Sequence, residues 1–313
     1  MPNDGTDGSG PTSITLPTYF SRPQGLPPAD APLRESIAAL RSAAANGNAT
    51  AACRLAFTAM DCWDHAWLRG NVEAAAAIVE EEYGAGNNHV TGMAARRIEQ
   101  APPALRRYVE ERVHAIEMAR ATAGDGFRTR EQRCEGAPAL SSNEVATLLR
   151  QAALQGQPAA VVAYTHAEWM NRLVGRNAAR TPEEASPPMA LLRDPAFQQW
   201  RREAVAIHQA GLEAGLLPVI ESEAVPNRMG WLDQLVARDP VQQAAAIRAL
   251  ALILGSGAPP GTSTLGLDPA RAVEADRLSE RWAAAAAGRA ASWDPERIPS
   301  QTMVALNASS DCE

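Results

Sequence analysis

The sequence predicts an all-α protein made of antiparallel helical hairpins, stacked as an irregular α-solenoid or helical array. Apolar residues recur at three- and four-residue spacings along most of the chain, and no alternating pattern of useful length indicates a β-strand. Hydrophobic residues make up 46% of the chain but aromatic residues only 5%, because much of the apolar content is alanine. Alanine favours helices and lets neighbouring helices approach closely. A small number of large side chains must therefore fill the core.

The charged residues exclude several kinds of chemistry. All 29 basic residues are arginine, so the chain has no lysine to form a Schiff base, bind phosphate in a P-loop or pair with a catalytic serine. The net charge of −7 argues against a nucleic-acid partner. No run of 18 apolar residues occurs, which predicts that the chain has no transmembrane segment.

The first half of the chain is predicted to be an arm followed by helices. Residues 1–29 are rich in Pro, Gly and Ser, which is typical of a disordered or surface-draped N-terminal arm. Helical periodicity then extends over an N-terminal helical region, 30–123, in which the first helix ends at Gly47. The polar, glycine-containing segment 124–140 is predicted to be a loop.

The second half, 141–293, is predicted to be a helical, repeat-like region. Ser141 and Glu144 fit a capping box at its first helix, and a later helix is expected to run from Pro158 to about Val174. Asp-Pro pairs follow, each of which supplies an N-cap acceptor and a proline at the first helical position. The four pairs are Asp194-Pro195, Asp239-Pro240, Asp268-Pro269 and Asp294-Pro295. Residues 294–313 are interpreted as a C-terminal tail.

Three helix junctions share one pattern, in which an alanine-rich helix end leads to a glycine and then to a helix with small residues in its first turns. They lie at 45–56, 149–160 and, more loosely, 210–218, with turn glycines Gly47, Gly156 and Gly215. The pattern resembles the Sel-like branch of the tetratricopeptide repeat superfamily, over about a quarter of the chain. That resemblance implies a protein-interaction scaffold without a catalytic site. The glycines are 109 and 59 residues apart, so the constant period of such families, roughly 34 residues in the tetratricopeptide repeat, is missing.

The four cysteines fit either disulfides or free thiols. An even number without a CxxC pair is typical of disulfides in an oxidising compartment, but reduced thiols fit it as well. Cys53 and Cys62 are expected on one helix, about 13 Å apart, which is too far for a direct bond. If Cys62 is bonded, Cys134 in the polar loop is a better partner than Cys53.

One pair of residues has the spacing of a metal-binding helix. Glu111 and His114 form a Glu-x-x-His step, which places both side chains on one helix face as in di-iron bundles. Those sites need two such steps, and no other histidine here has a glutamate three residues before it. The alternative interpretation is a surface carboxylate near a partly buried histidine. We keep Glu111 and His114 as metal-ligand candidates and predict no bound cofactor.

Two further stretches hold side chains of the kind that bind metals or transfer protons. The segment from Asp61 to His65 lacks the additional Cys or His pair that a zinc site needs, which favours an ordinary helix end. His166 and Glu168 are two residues apart and would point in different directions on a helix, so they are poor partners for one acid–base step. The sequence therefore predicts no catalytic residue.

These observations favour a non-enzymatic helical-repeat scaffold that binds a protein or peptide partner. Two alternatives stay open. One is an all-α enzyme or metal- or ligand-binding protein that uses Glu111 with His114, or His166. The other is a disulfide-stapled periplasmic or secreted structural protein. The N-terminus shows no signal peptide, so we expect a periplasmic or secreted location if a signal has been removed and a cytoplasmic one otherwise.

Overall fold

All secondary structure in the described part of the chain is helical. The computed structural model describes residues 14–17, 25–70, 131–170, 194–224, 239–253, 266–290 and 312, apart from the side chains of 65, 67–70 and 290. Eight helices of at least eight residues lie in these ranges: α1 (Leu33–Ala45), α2 (Ala49–Gly70), α3 (Ser142–Leu154), α4 (Pro158–Thr165), α5 (Pro195–Glu213), α6 (Leu217–Ala224), α7 (Pro240–Ile253) and α8 (Pro269–Ala290). No residue in these ranges forms a strand, which confirms the all-α prediction.

Three helical hairpins turn through corners of the same geometry. Gly47, Gly156 and Gly215 join α1 to α2, α3 to α4 and α5 to α6, with φ of +83°, +78° and +67°. Each glycine N–H donates to the carbonyl three residues earlier at 2.9 Å, and the next N–H donates to the carbonyl five residues earlier at 3.0–3.1 Å. This is the Schellman arrangement, which needs the left-handed conformation that glycine adopts without strain. In each hairpin the second helix starts two residues after the glycine.

The helices pack mainly on their neighbours in chain order. Helix α1 packs on α2, α2 on α3, α3 on α4, α4 on both α5 and α6, α6 on α7, and α7 on α8. Helix α8 also contacts α5. Since α2 packs directly on α3, the helices on either side of segment 124–140 share one packing interface.

The predicted helix starts are found where they can be tested. Ser141 and Glu144 form a complete capping box at α3. The Ser141 backbone N–H donates to the Glu144 carboxylate at 2.8 Å and holds the pKa of that carboxyl below its ordinary value. The side chains of Asp194, Asp239 and Asp268 accept from the first turns of α5, α7 and α8. The fourth Asp-Pro pair lies outside the described residues.

The expected helix from Pro158 to Val174 is wrong, because α4 ends at Thr165. His166 is the C-cap, and the fully buried Ala167 takes the left-handed conformation with φ +52°. A neighbouring helix holds this corner, since Trp200 Nε1 of α5 donates to the Thr165 carbonyl at 3.2 Å. Residues 168–170 then form a short helical turn. An alanine in the left-handed region costs about 1–2 kcal/mol, so this corner depends on tertiary packing.

The N-terminal segment 14–17 and the end of α8 pack against two of the hairpin corners. Leu16 is buried, and the carbonyl of Pro17 would lie 3.1 Å from a Cβ added at Gly156. The guanidinium of Arg289, at the end of α8, donates to the carbonyls of Ala214 at 2.6 Å and Pro17 at 2.7 Å. The segment predicted to be a disordered or surface-draped arm therefore contributes a buried side chain, and its carbonyls at Pro17 and Pro28 accept hydrogen bonds from arginines.

Candidate functional site

The candidate metal ligands lie largely outside the described part of the chain. This holds for Glu111 and His114, and for the side chain of His65. Within the described residues, no group of three or more His, Cys, Asp and Glu side chains has an arrangement that could hold a metal ion. The metal-ligand hypothesis for Glu111 and His114 stays a prediction.

The structure brings together a different set of polar side chains, which we call the buried polar cluster: His166, His208, Ser222 and Glu223. His166 is the C-cap of α4, His208 lies in α5, and the other two are consecutive in α6. All four residues are at most 9% exposed. Burying polar groups is costly unless they are hydrogen-bonded, so their pairing decides what the cluster can do.

The cluster consists of two hydrogen-bonded pairs placed side by side. His166 Nε2 lies 2.5 Å from Ser222 Oγ, and His208 Nε2 lies 2.9 Å from Glu223 Oε2. The two imidazole rings are arranged edge to face, with centroids 6.3 Å apart. A hydroxyl, two imidazoles and a carboxylate thus meet where three helices join. These residue types carry proton transfer and nucleophilic chemistry in proteins.

Two features make this cluster unlike ordinary core packing. His208 Nδ1 is buried and has no hydrogen-bond partner among the described residues. Ala167, directly after His166, has a left-handed backbone conformation although it is not a glycine. Buried polar atoms without a partner and strained backbone positions both concentrate at functional sites. The cluster is therefore the candidate site that the geometry itself selects.

A second polar group, beside the cluster, has a structural role. Arg150 of α3 makes a bidentate contact to Glu203 of α5, with Nε and Nη2 at 2.5 and 2.9 Å from the carboxylate oxygens. Tyr164 of α4 donates its hydroxyl to the same carboxylate at 2.6 Å. Hydrogen bonding to Glu203 raises the pKa of Arg150, and burial raises the pKa of Tyr164. Both side chains therefore stay protonated, and the contact ties three helices together.

We expect Glu203→Gln to lower the free energy of unfolding by about 2 kcal/mol, because it removes the charged acceptor that Arg150 and Tyr164 share. Arg41→Gln is the matched control. The Arg41 side chain pairs with Glu144 at 3.1 Å, and both side chains are 48% exposed, against 34% and 16% for Arg150 and Glu203. The control should cost about 0.5 kcal/mol or less. Urea unfolding measures both, and equal losses would contradict the role assigned to Glu203.

All four cysteines are joined in disulfides. Cys62 of α2 is bonded to Cys134, the partner favoured for it from the sequence, across 72 residues. Cys53, also in α2, is bonded to Cys312 across 259 residues. Both Cys53 and Cys312 are fully buried. Cys312 is therefore covalently joined to α2 of the first helical hairpin.

The fold and the cluster define the class of this protein as an all-α, disulfide-bonded protein of packed helices with a buried polar cluster. None of its described helices is both long and apolar enough to cross a bilayer. No protein-family model, curated protein or solved structure matches the chain. The function must therefore be argued from the residues themselves.

Proposed function

We propose that the chain is a disulfide-braced helical scaffold that binds a protein or peptide partner in an oxidising compartment. The observation that carries the proposal is the repetition of one corner geometry at Gly47, Gly156 and Gly215, with each hairpin packed on the next. Stacked hairpins of this kind form extended surfaces that many helical-repeat proteins use for binding. The proposal retains the resemblance to tetratricopeptide-type repeats at the level of architecture.

The cysteines support the choice of compartment. Disulfides persist in secreted and periplasmic proteins and are rare where glutathione and thioredoxin keep thiols reduced. Here every cysteine is paired, and Cys53 and Cys312 are buried. A chain that uses all its thiols for bracing fits an oxidising compartment better than a reducing one.

If the packed hairpins form the binding surface, a variant that disrupts one hairpin corner should bind the partner more weakly. The tagged, oxidised protein is incubated with extracellular and periplasmic fractions of its native cells, and retained proteins are identified by mass spectrometry. Each is then purified and titrated by calorimetry against the wild type, a Gly215→Ala variant that disrupts one corner, and Gly47→Ala as the milder control. We expect a partner that binds the wild type and the control but binds the Gly215 variant at least tenfold more weakly.

Two results would overturn the proposal. The first is that no purified candidate binds the oxidised wild type at micromolar concentrations. The second is that alkylation of the protein in its native cells, before any reductant is added, modifies four thiols. That result would show that the cysteines are unpaired there and would contradict the oxidising compartment.

A further inference from the structure

The buried polar cluster carries an inference that goes beyond the scaffold proposal and does not depend on it. We propose that Ser222 is an activated nucleophile with His166 as its general base, in a closed site that accepts small acyl esters. Ser222 Oγ and His166 Nε2 are 2.5 Å apart, within the reach that a nucleophile and its base require.

The local backbone explains how these two side chains are held together. His166 stands at the C-cap of α4 because the chain turns at Ala167, and the Thr165 carbonyl is fixed by the Trp200 indole. Ser222 lies in the last turn of α6, which packs on α4. Both partners are therefore placed by rigid elements, which suits a site where position controls reactivity.

The surroundings supply polar groups in a site closed to bulk water. Ser222 is 1% exposed and His166 is 8% exposed. The ring of His208 stands beside that of His166, its Nε2 is paired with Glu223, and its buried Nδ1 has no partner in the described part of the chain. A bound ligand that donates a hydrogen bond would satisfy this nitrogen. Because both reacting side chains are at most 8% exposed, the closure restricts substrates to small acyl groups.

The reaction balances without a metal or a redox partner. The Ser222 hydroxyl proton passes to His166 Nε2 while Oγ forms a bond to the ester carbonyl carbon. The bond from that carbon to the alkoxy oxygen breaks, and the proton held by His166 passes to the departing alcohol. Water then attacks the acyl-serine, again with proton transfer through His166, and releases the carboxylic acid with Ser222 restored.

A phosphonofluoridate of small size tests the proposal directly. In this reagent the phosphorus–fluorine bond breaks as Ser222 Oγ bonds to phosphorus, fluoride leaves, and the proton goes to His166. The full-length, oxidised protein is incubated with the reagent beside a standard serine hydrolase, and labelled peptides are located by mass spectrometry. We expect one adduct per chain, on Ser222, and at least a tenfold slower reaction in His166→Asn.

The molecule contains its own matched controls. Ser36 and Ser279 are also buried, but their hydroxyls donate to the carbonyls of Pro32 and Asp276 and contact no imidazole. They should stay unlabelled. Thermal unfolding of His166→Asn checks that this variant folds. If His166→Asn does not fold, Ser222→Cys tested with a thiol-reactive ester gives a second measurement. An unlabelled Ser222 beside a fully labelled standard overturns the proposal. So does labelling that is as fast in His166→Asn or as extensive at Ser279.

Discussion

Gly215→Ala is expected to lower the free energy of unfolding by about 3–5 kcal/mol. A Cβ at this position would lie 2.3 Å from the backbone nitrogen of Ala286 and 2.6 Å from the carbonyl carbon of Ala285, because α8 packs directly on the corner. Backbone atoms of a helix cannot move aside as a flexible side chain does. The left-handed φ of +67° adds its own cost for any residue with a Cβ. Urea unfolding of the oxidised protein, followed by circular dichroism, measures the loss.

Gly47→Ala is the control for that prediction. Gly47 has the same corner geometry with φ +83°, but nothing lies within 4 Å of an added Cβ. The substitution should cost only the backbone strain, about 1 kcal/mol. The difference between the two variants therefore isolates the packing of α8 on the corner. Equal losses would show that α8 does not lie there.

Removing either disulfide is expected to give the second large loss of stability. In the chain-entropy model, opening the Cys53–Cys312 loop costs about 5–6 kcal/mol and opening the Cys62–Cys134 loop about 4–5 kcal/mol, as upper values. The longer loop costs more because its closure removes more freedom from the unfolded chain. Paired Cys→Ser double variants should both unfold at lower temperature than the wild type.

Reduction of the wild type supplies the control for this second prediction. The reduced wild type should unfold near the temperature of a variant in which all four cysteines are serine, because both lack the same constraints. If reductant left the unfolding temperature of the wild type unchanged, neither disulfide would brace the fold.

Local signals in the sequence predict the helix starts and the glycine corners well. Asp194, Asp239 and Asp268 each precede proline, and this pair of residues satisfies the first turn of a helix without help from the rest of the chain. Gly47 and Gly156 follow alanine-rich helix ends, and the left-handed turn that ends each helix is again a local feature. Such features depend on residues a few positions apart, so one sequence is enough to find them.

The candidate site could not be predicted in the same way, because it depends on three helices meeting. His166, His208 and Ser222 are far apart in the chain and carry no shared motif. The turn at Ala167 also places His166 outside the continuous helix that the sequence predicts from Pro158. In α6, the polar residues directly before Ala224 are buried, although such residue types are mostly exposed in proteins. Only the tertiary arrangement shows what these residues contact.

The cysteine pairing shows the same limit. Helix geometry excludes a direct bond between Cys53 and Cys62, and the polar loop makes Cys134 a sensible partner for Cys62. No local feature connects Cys53 with Cys312, since the bond depends on where the end of the chain returns after 259 residues.

Disulfide mapping without reduction tests this arrangement of the helices most directly, since both disulfides depend on how the helices pack. Trypsin cleaves after Arg54, between Cys53 and Cys62, so each bond gives a distinct pair of linked peptides. We expect one linkage between the peptides that contain Cys53 and Cys312 and one between those that contain Cys62 and Cys134. Cys53 linked to Cys134, or Cys62 linked to Cys312, would contradict this arrangement of the helices.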